Sequence, residues 1–158
     1  MKKRVVLIII ILLVAIQFIR PSRNLSSALS ANDISRHYTV PDTVAHILDR
    51  ACNDCHSNNT RYPWYTNIQP VGWWMQHHVN EGKEELNFSE FASYTAKRQA
   101  HKLEEVAKQV KDDEMPLNSF LWIHTDAKLT DADKQALMNW ANNLRQEIAG
   151  NNEIPKNK

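Results

Sequence analysis

The stretch "DRACNDCHSNNTRYPWY", residues 49–65, decides how the rest of the chain is read. It holds both cysteines of the 158-residue chain, Cys52 and Cys55, with His56 directly after the second. Four chemistries suit two thiols at this spacing: a disulfide, half of a zinc site, a redox dithiol and a covalent haem anchor. A disulfide here would close a tiny loop and remove little unfolded-state entropy. Structural zinc normally takes four ligands, and His56 adjoins Cys55 too closely for the usual finger spacing. A thioredoxin-like dithiol starts a helix within an α/β fold. Here the pair ends a helix in a chain without a strand pattern. Cys-x-x-Cys-His is the signature of covalent haem, in which each thiol adds to a vinyl group and the histidine ligates iron. One haem c, held by Cys52 and Cys55 with His56 as proximal ligand, is the cofactor this motif predicts.

The composition narrows the alternatives. A formal net charge of +1 excludes an electrostatic nucleic-acid binder, and three scattered glycines offer no phosphate-cradling loop. Five tryptophans and four tyrosines suit a core built around something flat and apolar.

The N-terminus is a separate module. "MKKR" precedes "VVLIIIILLVAIQFI", residues 5–19, which only Gln17 interrupts. The run is short for a bilayer, but basic residues at its ends can snorkel and make a span feasible. A cleaved signal peptide is the rival reading, and "RPSRN" behind the run lacks the small residues that cleavage needs. Residues 1–22 are therefore expected to be an inner-membrane anchor retained in the mature protein. Lys2, Lys3 and Arg4 would stay cytoplasmic and the remainder would lie in the periplasm.

Residues 23–40 are polar, weakly patterned and predicted to be a linker. From Pro41 helical periodicity begins, with Val44, Ile47, Leu48 and Ala51 on one face of a helix that runs into the cysteines. A second helix is predicted over about 71–86, with Val71, Trp74, Met75, His78 and Val79 along one side. A third opens near Asn87, where Asn87 and Glu90 resemble a capping box, and carries Phe88, Phe91, Leu103, Val106 and Val110. "KDDEMPLNSFLWIHTDAK" reads as an irregular loop. A last helix opens at Thr130, carries Leu137, Trp140, Ala141, Leu144 and Ile148, and is expected to stop at Gly150. The predicted class is all-α, with a helical domain at 41–150 and a disordered tail at 151–158.

With these elements in order, the chain resembles cytochrome c. A helix enters "CNDCH", a Met115-Pro116 pair lies well downstream, and "LTDADKQALMNWANNL" closes the domain. More closely, "CNDCHSNNTRYPWY", "HHVNEGKEELNFSEF", "EMPL" and "IHTDAKLT" are similar to a bacterial haem-binding-domain family of small membrane-tethered monohaem proteins. The resemblance covers roughly residues 41–146. It implies Cys52 and Cys55 as haem anchors, His56 as proximal ligand and Met115 as distal ligand, with Trp140 packing on the first helix. Pro116 would stiffen the distal loop. The second nitrogen of His56 needs a hydrogen-bond acceptor, for which the Pro63 and Pro70 carbonyls are candidates.

Other residues are weighed against these. His78 is the rival distal ligand, because it shares a helix side with Trp74 and Met75. Its bland role is a partly buried histidine bonded to backbone. His124 is expected to order its loop by a hydrogen bond. Arg61 is a candidate partner for a haem propionate, since guanidinium matches carboxylate; Tyr62, Trp64 and Tyr65 are weaker ones. The runs "EGKEEL" and "KLEEVAKQVKDDE" read as solvated helix faces. The expected function is single-electron transfer to redox partner proteins of an exported chain, without an enzyme's acid, base or nucleophile. A haem sensor or peroxide-handling domain with an exchangeable sixth ligand is one alternative. A non-haem metal-binding module is another.

Overall fold

The structure is a computed structural model and describes residues 2–26 and 28–153. Among these residues every regular element is helical and no strand occurs, as the periodicity predicts. The segment 154–158 of the expected tail lies outside the described residues.

Two long helices form the frame. Helix α6 (Ala96–Lys111) and helix α8 (Asp131–Glu153) pack side by side. Arg145 pairs with Glu104 at one end and Lys134 with Asp113 at the other, so the two run antiparallel. Between them lie Leu103, Val110, Leu137, Ala141 and Leu144, all buried. Helix α3 (Asp42–Ala51) lays its predicted face, Val44, Ile47, Leu48 and Ala51, against α8. Trp140 borders the same crevice as Val44 and donates its indole N–H to the Thr39 carbonyl, 3.1 Å away. After α3, the chain bends at Cys52 into the single turn of α4 (Asn53–His56), which packs on helix α5 (Val71–Glu85).

The third predicted helix is not continuous. Asn87 accepts from Ser89 N–H and opens a 3-10 segment, Phe88–Ser93, and Thr95 then caps α6 afresh through Arg98 N–H. Glu90 does not close a capping box, because its carboxylate receives Asn32 at 3.1 Å and Asn58 at 2.8 Å instead. Helix α8 also runs through Gly150 to Glu153: no described glycine has positive φ, so the left-handed stop that was expected there is not made.

The polar stretch expected as a linker is folded onto the body. Asn24 donates to the Ser57 carbonyl and to Thr60 Oγ1, and its N–H meets the Tyr62 hydroxyl. Ile34, on the short helix α2 (Ile34–His37), is buried in the main core. Polar composition hid this role because the contacts are mostly hydrogen bonds. At the N-terminus, α1 (Lys2–Ala15) is followed by a 3-10 turn, Ile16–Phe18. No helix among the described residues is long and apolar enough to cross a membrane. The 14 residues of α1 reach about 21 Å against about 30 Å of hydrocarbon core.

Candidate functional site

The cysteine motif is built from one tight turn. Cys52 leaves α3 with non-helical dihedrals, and its carbonyl accepts from the N–H groups of both Cys55 (3.1 Å) and His56 (3.0 Å). This turn is held from behind. The carboxylate of Asp54, 7% exposed, accepts from Arg61 N–H at 3.1 Å and from Arg61 Nε at 3.0 Å, and Thr60 donates to the Asp54 carbonyl. Arg61 also reaches Asp49. Arg61 therefore clamps the motif and is absent from the cavity that the motif lines, where a propionate partner is needed.

His56 is fixed by its backbone surroundings. Its Nδ1–H donates to the Leu86 carbonyl at 2.9 Å, which leaves Nε2 with a free lone pair for a ligand. The acceptors expected from the sequence are taken: Pro63 by Thr66, and Pro70 by the N–H of Trp74. Burial holds the His56 imidazole below its ordinary pKa despite the hydrogen bonds to Leu86 and Gly82, so it is neutral and ready to ligate at pH 7. Phe88 meets its ring edge-on, with centroids 6.4 Å apart.

Two adjoining lobes, of about 290 and 240 Å³, meet at this turn. Ala51, Cys52, His56, Met115 and Pro116 line both. Cys55 and His78 line the first lobe together with Phe120, while Leu48, Val106 and Leu137 line the second. The site thus brings together four of the residues that sequence reading assigned to one cofactor, and it keeps His78 beside them. His78 stands edge-on to Trp74 at 4.6 Å, with Nδ1 3.6 Å from Glu81. His124 donates Nδ1–H to the Phe120 carbonyl and accepts from the Tyr65 hydroxyl, and so ties the loop after Met115 to the loop after the motif.

The thiols are unlike those of a redox dithiol. Burial, with Cys55 adding to it, pushes the Cys52 thiol up to about 12; burial and Asp54 push Cys55 up to about 11. Activated cysteines show the opposite shift. Both are free of disulfide, and among the described residues no three His, Cys, Asp or Glu side chains are grouped to hold a metal ion.

Two features escaped the sequence reading. The first is Lys102, which lines the second lobe with its side chain only 12% exposed and bonds Glu85 at 3.0 Å and Glu105 at 2.7 Å. The charged runs were expected to be solvated; Glu85 stays exposed as expected, whereas the Lys102 side chain is largely covered and its stem lies on the apolar wall. The second is Gly82, whose place against Cys55 lets α5 approach α4 closely.

A largely apolar cavity with two thiols, a neutral imidazole and a thioether at its walls fits a haem by donor set. The all-helical fold and this site define a haem-binding protein as a class. The sequence model of the haem-binding domain family matches residues 11–143, and the chain belongs to that family. The match takes in the end of α1 and the folded stretch before Pro41. No curated protein and no solved structure matches the chain.

Proposed function

We propose that the chain is a monohaem c-type cytochrome domain that carries single electrons and is not itself an enzyme. The observation that carries this reading is the convergence of Cys52, Cys55, His56 and Met115 on one apolar cavity. Bound there, haem supplies reversible one-electron chemistry, and Met/His ligation raises the potential of a c-type haem.

Each residue has a defined task. Cys52 and Cys55 hold the group by thioether bonds. His56, turned by the Leu86 carbonyl, would offer Nε2 to the iron, and Met115 would offer its sulfur. Among the described residues Lys102 is the one Lys or Arg that lines either lobe, which makes it the cation suited to a propionate. Leu48, Val106, Phe120 and Leu137 exclude water and so keep the environment apolar.

The domain would sit on the periplasmic side of the inner membrane and exchange electrons with exported redox proteins. Support comes from Lys2, Lys3 and Arg4, which open α1 ahead of its apolar stretch. A helix this short can be accommodated by snorkelling and local thinning of the bilayer.

Protein produced with haem-attachment machinery tests the reading. Haem should remain on the chain through denaturing extraction, be lost from the Cys52→Ala/Cys55→Ala variant, and give a sharp low-spin reduced spectrum. Haem that extracts freely from the unaltered chain excludes c-type attachment. A high-spin, carbon monoxide-reactive spectrum would instead identify the sensor alternative.

A further inference from the structure

The haem site leaves one surface unexplained. Gln17, the sole polar residue in the apolar run 5–19, grips the backbone of Gln69. Its Nε2 donates to the Gln69 carbonyl at 3.1 Å, and its Oε1 accepts from the Gln69 N–H at 2.9 Å. Trp73 donates its indole N–H to the Ile19 carbonyl at 2.8 Å, and Arg23 donates to Asn67 at 2.6 Å. The chain leaving α1 is thus fastened at three points to the segment 67–73. It does not hang from a flexible leash.

Around this fastening the surface is apolar and open. Trp64 is 75% exposed, Trp74 is 49% exposed, and Ile68 and Val71 between them are exposed too. Ile123, also exposed, joins the patch across a crevice that it lines with Val71 and Trp74. Through Gln17 and Ile19 this surface is fastened to the chain just after α1, whose Val5–Val14 stretch is apolar on every side and exposed throughout. A helix apolar all round requires an apolar surrounding, and this one is about 9 Å short of the hydrocarbon core.

We propose that the face carrying Trp64, Ile68, Val71 and Trp74 docks into the interfacial layer of the lipid bilayer that α1 enters, and so holds the haem domain in one orientation against the membrane. This rests on the membrane tether proposed above. Tryptophan is suited to that layer, because its ring is apolar while its N–H finds a polar partner. The face supplies apolar contact where α1 ends, which relieves the mismatch of a short span. Arg20 and Arg23 follow α1 at the level of the lipid headgroups, where anionic lipid attracts them.

The full-length haem-loaded protein, reconstituted in vesicles of phosphatidylcholine and phosphatidylglycerol, provides the test. A fraction of the phosphatidylcholine carries a diazirine near its glycerol backbone; after illumination, lipid adducts are mapped on tryptic peptides. Adducts are expected on residues 62–83 as well as 5–23, and not on residues 135–145 of α8, which packs on α6 and α3. The Trp64→Ser/Ile68→Ser variant should lose adducts on 62–83 several-fold while keeping those on 5–23. Adducts confined to 5–23 would overturn the docked face and leave the tether standing, with a protein partner or a second copy then covering the patch. A chain that fails to float with the vesicles and takes no adducts would overturn both.

Discussion

Gly82 and Cys55 are packed backbone to backbone: a Cβ at residue 82 would lie 2.7 Å from the Cys55 carbonyl oxygen and 3.0 Å from its Cβ. The first contact is with backbone of the haem motif, which cannot rotate away as a side chain would. Gly82→Ala must therefore push α5 off α4. Overpacking of this kind costs about 1–3 kcal/mol, which exceeds the roughly 1 kcal/mol that alanine gains over glycine inside a helix. Thermal unfolding should show a lower midpoint, together with slower covalent haem loading. Gly150→Ala is the control with the opposite sign. Nothing lies within 4 Å of a Cβ there, so α8 should gain up to about 1 kcal/mol.

Arg61 braces the buried Asp54 outside the cavity, whereas Lys102 lines it. Arg61→Ala removes the partner of the buried Asp54 carboxylate, and hydrogen bonds to charged groups contribute about 1.5–3 kcal/mol. The half-exposed guanidinium places the loss at the low end of that range. The expected outcome is a lower melting temperature with an unchanged midpoint potential. Lys102→Ala should shift the potential, because it removes a cation from the cavity wall. A shift in potential with Arg61→Ala and none with Lys102→Ala would restore the propionate role to Arg61.

What the sequence made legible follows from which signals are periodic or chemically distinctive. Val44, Ile47, Leu48 and Ala51 announce the buried face of α3 because helix geometry repeats every 3.6 residues. Cys52, Cys55, His56 and Met115 announce themselves by element: sulfur and imidazole have few other uses in this arrangement. The Leu86 carbonyl carries no such mark, since a backbone acceptor is selected by the path of the chain and any residue could provide it. Gln17 and Asn24 stayed hidden for a related reason. Their polarity reads as solvation, whereas both spend it on backbone groups of distant loops. Glu90 shows the limit of local rules, because the cap it could close competes with Asn32 and Asn58, which only tertiary folding brings near.

A pH dependence is expected at the start of α8. Thr130 donates its N–H and hydroxyl to the Asp133 carboxylate, each at 2.8 Å, and Arg50 pairs with it at 2.7 Å. The hydrogen bonds from Thr130, joined by Arg50, hold this carboxyl below its usual pKa. A depressed folded-state pKa contributes stability that is present above the unfolded value and is lost as pH falls through the folded one. Asp133→Asn should therefore cost about 1 kcal/mol at pH 7, the usual worth of a helix-terminal cap. The difference from the unaltered protein should fade below about pH 4, the ordinary aspartate range. Chemical denaturation at pH 7 and at a pH below the depressed folded-state pKa measures it.

The sixth ligand is the sharpest test of the site. Met115 and His78 both line the first lobe, so geometry offers the iron two candidates. Met115 also lines the second lobe, among mostly apolar residues with Gln109 and the Lys102 cluster, whereas His78 is engaged by Trp74 and lies near Glu81. Among the described residues no hydrogen bond engages that thioether. Met115→Ala should leave the iron without its sixth protein ligand, so that reduced protein gains carbon monoxide reactivity. Met115→His should stay low-spin at a lower potential, because thioether ligation is what raises it. His78→Ala should keep the ferric sulfur-to-iron charge-transfer band. Should Met115→Ala retain the native low-spin spectrum while His78→Ala abolishes it, the iron is held by two histidines and Met115 serves only as a wall.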